Sequence, residues 1–94
     1  MNYLFKPATN FTLLEVRLHC NAATGGTENY VIAVDSVHGT PYDVVLNTQA
    51  MAAVGDVIYT PTTEKSFELG DGLLFTWLNA ASRTWGLEII WERD

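Results

Sequence analysis

The stretches TLLEVRLHC (residues 12–20) and TWGLEIIWE (residues 84–92) decide the fold class. In the first, Leu14, Val16, Leu18 and Cys20 share one side, and Glu15, Arg17 and His19 the other. In the second, Trp85, Leu87, Ile89 and Trp91 share a side, with Glu88 and Glu92 opposite. Apolar residues at every second position mark a half-buried strand, because successive strand side chains point to opposite faces. The same alternation continues between them. Residues 29–37 carry Tyr30, Ile32 and Val34, and residues 42–47 carry Tyr42, Val44 and Leu46. Shorter β-prone runs fall at 57–60, 65–69 and 73–78. Turn residues separate them: Gly25-Gly26, His38-Gly39-Thr40-Pro41, Gly55-Asp56, Pro61, Gly70-Asp71-Gly72 and residues 79–83. The best helical candidate, TQAMAAV at 48–54, is too short to stand alone and reads as a loop or single turn. Seven to eight short strands at regular spacing predict an all-β, antiparallel sandwich, jelly-roll-like in its wiring. An immunoglobulin-like sandwich is the second choice, of the kind that lacks a disulfide.

Length and composition bound the rest. Ninety-four residues make one domain, with 1–10 as an extended arm and 11–94 as the sandwich. Hydrophobic residues are 48% of the chain, including three Trp, four Tyr and four Phe. That composition is the opposite of a disordered tail and leaves apolar side chains over for a protein contact. The net charge is −6, and the five basic residues, Lys6, Arg17, Lys65, Arg83 and Arg93, are scattered. Nucleic-acid binding needs a basic stripe, and an anionic membrane surface needs a basic patch, so neither partner is expected. The start of the chain lacks the basic and apolar regions of a signal peptide, so synthesis in a cytoplasm is the expectation.

Candidate chemistry is thin. Cys20 and His19 are strand neighbours and must point apart, and His38 sits beside a glycine at a strand end. Cys20 therefore reads as core filling. Two histidines and one cysteine make no zinc cluster. Asp35, Asp43, Asp56 and Asp71 lie near strand ends, but no stretch resembles a calcium loop, and Asp-Gly pairs make tight turns without any ion. Glu88 and Glu92 lie on one strand face rather than across a cleft. Phe75, Trp77, Trp85 and Trp91 could stack on sugar rings, yet alternation assigns all four to the core. No enzyme activity, cofactor or metal is expected.

The core expected from alternation is Leu14, Val16, Leu18, Ile32, Val34, Leu46, Leu73, Phe75, Trp77, Leu87 and Ile89. With Leu73, Phe75 and Trp77 inward, Leu74 and Leu78 point out, and Ile90 does the same between Glu88 and Glu92. If those strands share a sheet, Leu74, Leu78 and Ile90 form an exposed aliphatic contact surface. Tyr3, Leu4 and Phe5 in the arm suit strand addition to a neighbour, or else cover their own sandwich.

The stretches VIAVDSVHGTPYDVVL (31–46) and FELGDGLLFTWLNAASRTWGLEIIWE (67–92) resemble small structural proteins of tailed bacteriophages. The shared elements are a strand ending in the Asp35–Gly39 turn, the Tyr42-Asp43 pair, a Gly70-Asp71 turn opening an aromatic strand that ends at Asn79, and the closing Trp85–Ile89 run. The resemblance implies a virion β-sandwich, a capsid decoration (cement) protein that binds the major capsid protein or another virion protein and forms a homo-oligomer. A tail-associated receptor- or carbohydrate-binding module is the alternative. This chain departs from the pattern at Leu74 and Leu78, where a polar outer face is usual.

Overall fold

In the computed structural model, whose described residues are 1–63 and 65–94, the alternating runs form eight strands. They are β1 (Asn2–Phe5), β2 (Phe11–Cys20), β3 (Asn29–Asp35), β4 (Val45–Ala50), β5 (Asp56–Tyr59), β6 (Ser66–Phe67), β7 (Gly72–Thr76) and β8 (Trp85–Arg93). One 3-10 turn, Thr40–Tyr42, is the helical content of the described residues. The strands form two antiparallel sheets. The β7 sheet has the order β1-β7-β3-β4. In the β2 sheet, Val16–His19 pair with both β5 and β8, and Phe11 and Thr12 with both β6 and β8. A strand has only two edges, so β8 occupies one edge of β2, and β5 and β6 share the other. The fold is an antiparallel β-sandwich, as the period-two pattern requires.

The inner faces meet around Phe11, Leu13, Val16 and Leu18 of β2, Tyr30 and Ile32 of β3, and Leu73 and Phe75 of β7, each no more than 2% exposed. One expected core residue is misplaced. The β2–β8 register shifts between Leu13 and Glu15, so Leu14 is an extra residue that bulges out of the ladder. It is 41% exposed, and Phe11 and Leu13 take the inner face instead. Phe11 anchors an aromatic cluster, with ring centroids 5.2 Å from Phe67, 5.7 Å from Phe5 and 6.1 Å from Trp91.

The arm is not free. Asn2–Phe5 pair antiparallel with β7 of the same chain, from Asn2 opposite Thr76 to Phe5 opposite Leu73. The Met1 nitrogen donates to the Trp77 carbonyl at 2.7 Å. Residues 2–5 therefore cover their own sandwich. Two further boundaries move. Pro41 sits in the 3-10 turn and delays the expected 42–47 strand until Val45, leaving Tyr42 66% exposed. Thr48–Ala50 extend β4, and the chain then turns so that Met51 plugs the core at 0% exposure. The Thr24 hydroxyl donates to the Met51 carbonyl and fixes that crossing.

Tyr30 is wholly buried, and its hydroxyl has no hydrogen-bond partner among the described residues. Burial pushes its phenol pKa up. The unfolded chain then loses this proton first, so stability present at neutral pH declines as pH rises beyond about 10. Tyr30→Phe is expected to flatten that alkaline decline and to raise Tm at neutral pH, since an unpaired buried hydroxyl costs about 1–3 kcal/mol. Thermal melts of both proteins at neutral and alkaline pH check this. A variant less stable at both would mean that the hydroxyl holds the core together.

Candidate interaction surfaces

The two outer faces of the sandwich differ in chemistry. On the β7 sheet, Leu4 lies opposite Leu74, Leu74 opposite Ala33, and Ala33 opposite Val45. These four residues make an aliphatic row across all four strands. The adjacent row is Asn2, Thr76, Val31 and Thr48. Neither row carries a charge. Leu4 is 44% and Val45 58% exposed, with Leu74 half-buried between them. A recess of about 180 Å³ runs beside the aliphatic row, lined by Ala33, Val34, Val44, Val45 and Leu74 together with Asp35 and Asp43.

The β2 sheet presents charges instead. Arg17 donates to Glu88 at 3.0 Å and also pairs with Glu15, and His19 pairs with Asp56. All are solvent-facing, so each pair contributes little to stability. Ile90 lies half-buried on this face, opposite Glu15. Leu74 and Ile90 are thus on opposite sides of the molecule, because β7 and β8 belong to different sheets. The expected patch of Leu74, Leu78 and Ile90 does not form. Leu78 lies just past β7 and is 78% exposed.

A third surface escaped the alternation argument. Trp85, Leu87, Ile89 and Trp91 face inward but are only half covered, with Trp85 36% exposed. Their opposite number is β1, which has four residues against nine in β8. The mismatch leaves a seam of about 450 Å³ lined by Tyr3, Phe5, Trp85, Gly86, Leu87 and Ile89. Tyr3 is 45% exposed there, whereas Phe5 reaches inward to Trp91 at 5.5 Å. No local signal in the sequence marks this seam, because it depends on which strand lies opposite β8.

The candidate reactive groups are tied up. Cys20 is 3% exposed, and burial, with a further push from Asp56, raises its thiol pKa, the reverse of an activated nucleophile. His19 faces the other way, and His38 pairs with Glu68 in a distant loop. Phe75 and Trp77 are buried, and the Trp77 indole donates to Glu28 at 2.8 Å, so the four aromatics make no shared platform. Asp43 and Asp71 act as loop ties. Asp43 accepts from the Ser36 N–H at 2.7 Å, and Asp71 from Val37 at 2.8 Å and Glu68 at 3.1 Å. The Asp35–Gly39 turn, the Tyr42-Asp43 pair and the Gly70-Asp71 turn are therefore one connected scaffold at one end of the sandwich. Among the described residues no group of three or more His, Cys, Asp or Glu could hold a metal ion, and no helix is long and apolar enough to cross a membrane.

The fold and its surfaces define an antiparallel β-sandwich with one aliphatic face, one charged face and an open apolar seam. Compared with known families, curated proteins and solved structures, the chain matches none of them.

Proposed function

We propose that this chain is a non-catalytic virion structural protein, a capsid decoration protein whose docking face is the uncovered outer face of the β7 sheet. The observation that carries the reading is the neutral row Leu4, Leu74, Ala33 and Val45, left bare while Phe75 and Trp77 are packed inside. Uncovered contiguous apolar surface marks a protein contact. The resemblance to small phage structural proteins points the same way, and the net charge of −6 favours a protein partner over nucleic acid or an anionic membrane. The jelly-roll-like wiring rests on how often the chain crosses between sheets, at β1–β2, β2–β3, β4–β5, β6–β7 and β7–β8. On this reading the chain is made in the host cytoplasm and ends in the virion.

Co-sedimentation with heads of the encoding phage tests the proposal. Wild-type protein is expected to pellet with heads. Leu74→Asp and Val45→Asp are expected to remain folded by circular dichroism and to bind about 10–100-fold more weakly, the loss of one buried aliphatic side chain. Wild-type binding by both folded variants would remove this face from the contact. The exposed Trp85 and Tyr3 favour a second reading, a tail-associated receptor- or carbohydrate-binding module. The seam lining offers ring faces but no carboxylate or amide side chain to orient a sugar. Quenching of tryptophan fluorescence by oligosaccharides would favour that module.

A further inference from the structure

The backbone of β8 has one used and one unused edge. Asn21 N–H donates to the Thr84 carbonyl at 2.9 Å, and Asp94 N–H to the Asn10 carbonyl at 3.0 Å, at the two ends of the β2–β8 ladder. Antiparallel ladders alternate, so the even-numbered residues of β8 aim their backbone groups at β2. The odd-numbered ones, Trp85, Leu87, Ile89, Trp91 and Arg93, aim theirs outward, where no strand pairs with them among the described residues.

Free edges are templates for another strand, and sandwiches blunt them with short length, proline, lysine or bulges. The other edges of this molecule are blunted. β1 has four residues and is followed by Pro7, and β5 has four and is followed by Pro61. β6 has two, and the β3–β4 register shifts between Ile32 and Ala33. β8 runs nine residues with no proline, no lysine and Trp85, Leu87, Ile89 and Trp91 on its inner side.

The charges of β8 select what can pair with it. In an antiparallel pairing of two copies about a two-fold axis at Ile89, Trp85 faces Arg93 of the partner subunit and Leu87 faces Trp91 of the partner subunit. On the outer side, Glu88 faces Ile90 of the partner subunit, and Gly86 faces Glu92 of the partner subunit. No like charges are opposed, and Trp85 meets a guanidinium, a favourable cation–π pair. The axis one residue earlier sets Glu88 against its own copy, and one residue later sets Glu88 against Glu92. Both oppose carboxylates, so the acidic residues admit the Ile89-centred register and penalise its neighbours. All outward-bonding residues are then paired with one another.

The seam strengthens the case independently. It opens along the same side of the molecule, and its Trp85, Leu87 and Ile89 lining belongs to the strand that would pair. In that register the inward side chains of two β8 strands lie side by side, and the two seams merge into one shared apolar core. We infer that β8 is a self-association edge, pairing with β8 of a second copy about an axis at Ile89 to close both seams. This inference stands apart from the capsid reading and does not use the β7 face.

Sedimentation velocity from micromolar to millimolar protein, with site-directed cross-linking, tests it. A discrete monomer–dimer equilibrium is expected. Ile89→Cys is expected to give a disulfide dimer under mild oxidation, because directly opposed bonded residues have Cα atoms about 5.5 Å apart, within disulfide reach. Ile58→Cys, on β5 and 66% exposed where Ile89 is half-buried, is expected to stay monomeric despite its greater access, and buried Cys20 does not compete. Ile90→Lys, placed opposite Glu88, is expected to tighten the dimer several-fold, and Ile90→Glu to loosen it by a similar factor. A monomer at every concentration overturns the inference and leaves the edge to a strand of another protein. Open-ended aggregates, cross-linking at position 58 rather than 89, or the same effect from both Ile90 variants would overturn it as well.

Discussion

Phe11→Ala is expected to lower the unfolding free energy by about 3–5 kcal/mol, the usual cost of emptying a large aromatic site. Phe11 is wholly buried and joins both sheets through Phe5, Phe67 and Trp91. A domain of this size holds only about 5–15 kcal/mol in total, so the variant loses a large share of its stability. The same strand supplies its own control. Leu13→Ala is expected to cost about 2–5 kcal/mol, because Leu13 is 0% exposed, and Leu14→Ala less than about 1 kcal/mol, because Leu14 bulges into solvent. Urea unfolding followed by tryptophan fluorescence measures all three. Equal costs at positions 13 and 14 would mean that the bulge lies elsewhere.

Asp71→Ala is expected to cost about 2–3 kcal/mol, because one 8%-exposed carboxylate accepts the N–H groups of Val37 and Glu68. Its removal leaves both donors without their partner and frees the Asp35–Gly39 turn from the end of the sandwich. Asp71→Asn keeps one acceptor oxygen and should recover about half of the loss. Gly70→Ala should fail alongside it. Gly70 has φ of 100°, and an added Cβ would stand 2.5 Å from a Val37 methyl. Thermal melts of the three variants settle the point, and unchanged Tm for Asp71→Ala would reduce the tie to a surface contact.

Where one face of a strand is apolar and the other polar, the sequence spoke plainly. The alternations at Val16, Leu18 and Cys20, at Tyr30, Ile32 and Val34, and at Leu73, Phe75 and Trp77 all point into the sandwich. Two adjacent leucines at 13 and 14 carry no such contrast, and only the β2–β8 ladder shows which is the extra residue. Skipping Leu14 restores unbroken alternation from Phe11 to Cys20. The surfaces were less legible for a different reason. Alternation says that Leu74 and Ile90 face outward from their strands, but not that their strands lie in different sheets. Nor does it say that β1 is too short to cover β8. Sheet membership and relative strand length are long-range properties, so Leu4 was visible as an apolar arm residue and not as the neighbour of Leu74.

The strand pairing also governs when the fold can form. β1 is held by β7, and β2 by β8, with Cys20 opposite Trp85 some 65 positions later. Only β3 and β4 are sequence neighbours that pair as a hairpin among the described residues. A ribosome therefore delivers the longest strand, β2, long before its chief partner exists. Large loops must close before any long-range contact repays their entropy, which places such chains among the slow folders, on millisecond-to-second timescales. During that interval β5 and β6 can take one edge of FTLLEVRLHC while its β8 edge stays unpaired, so its passage to the native state depends on how quickly translation reaches residues 85–93.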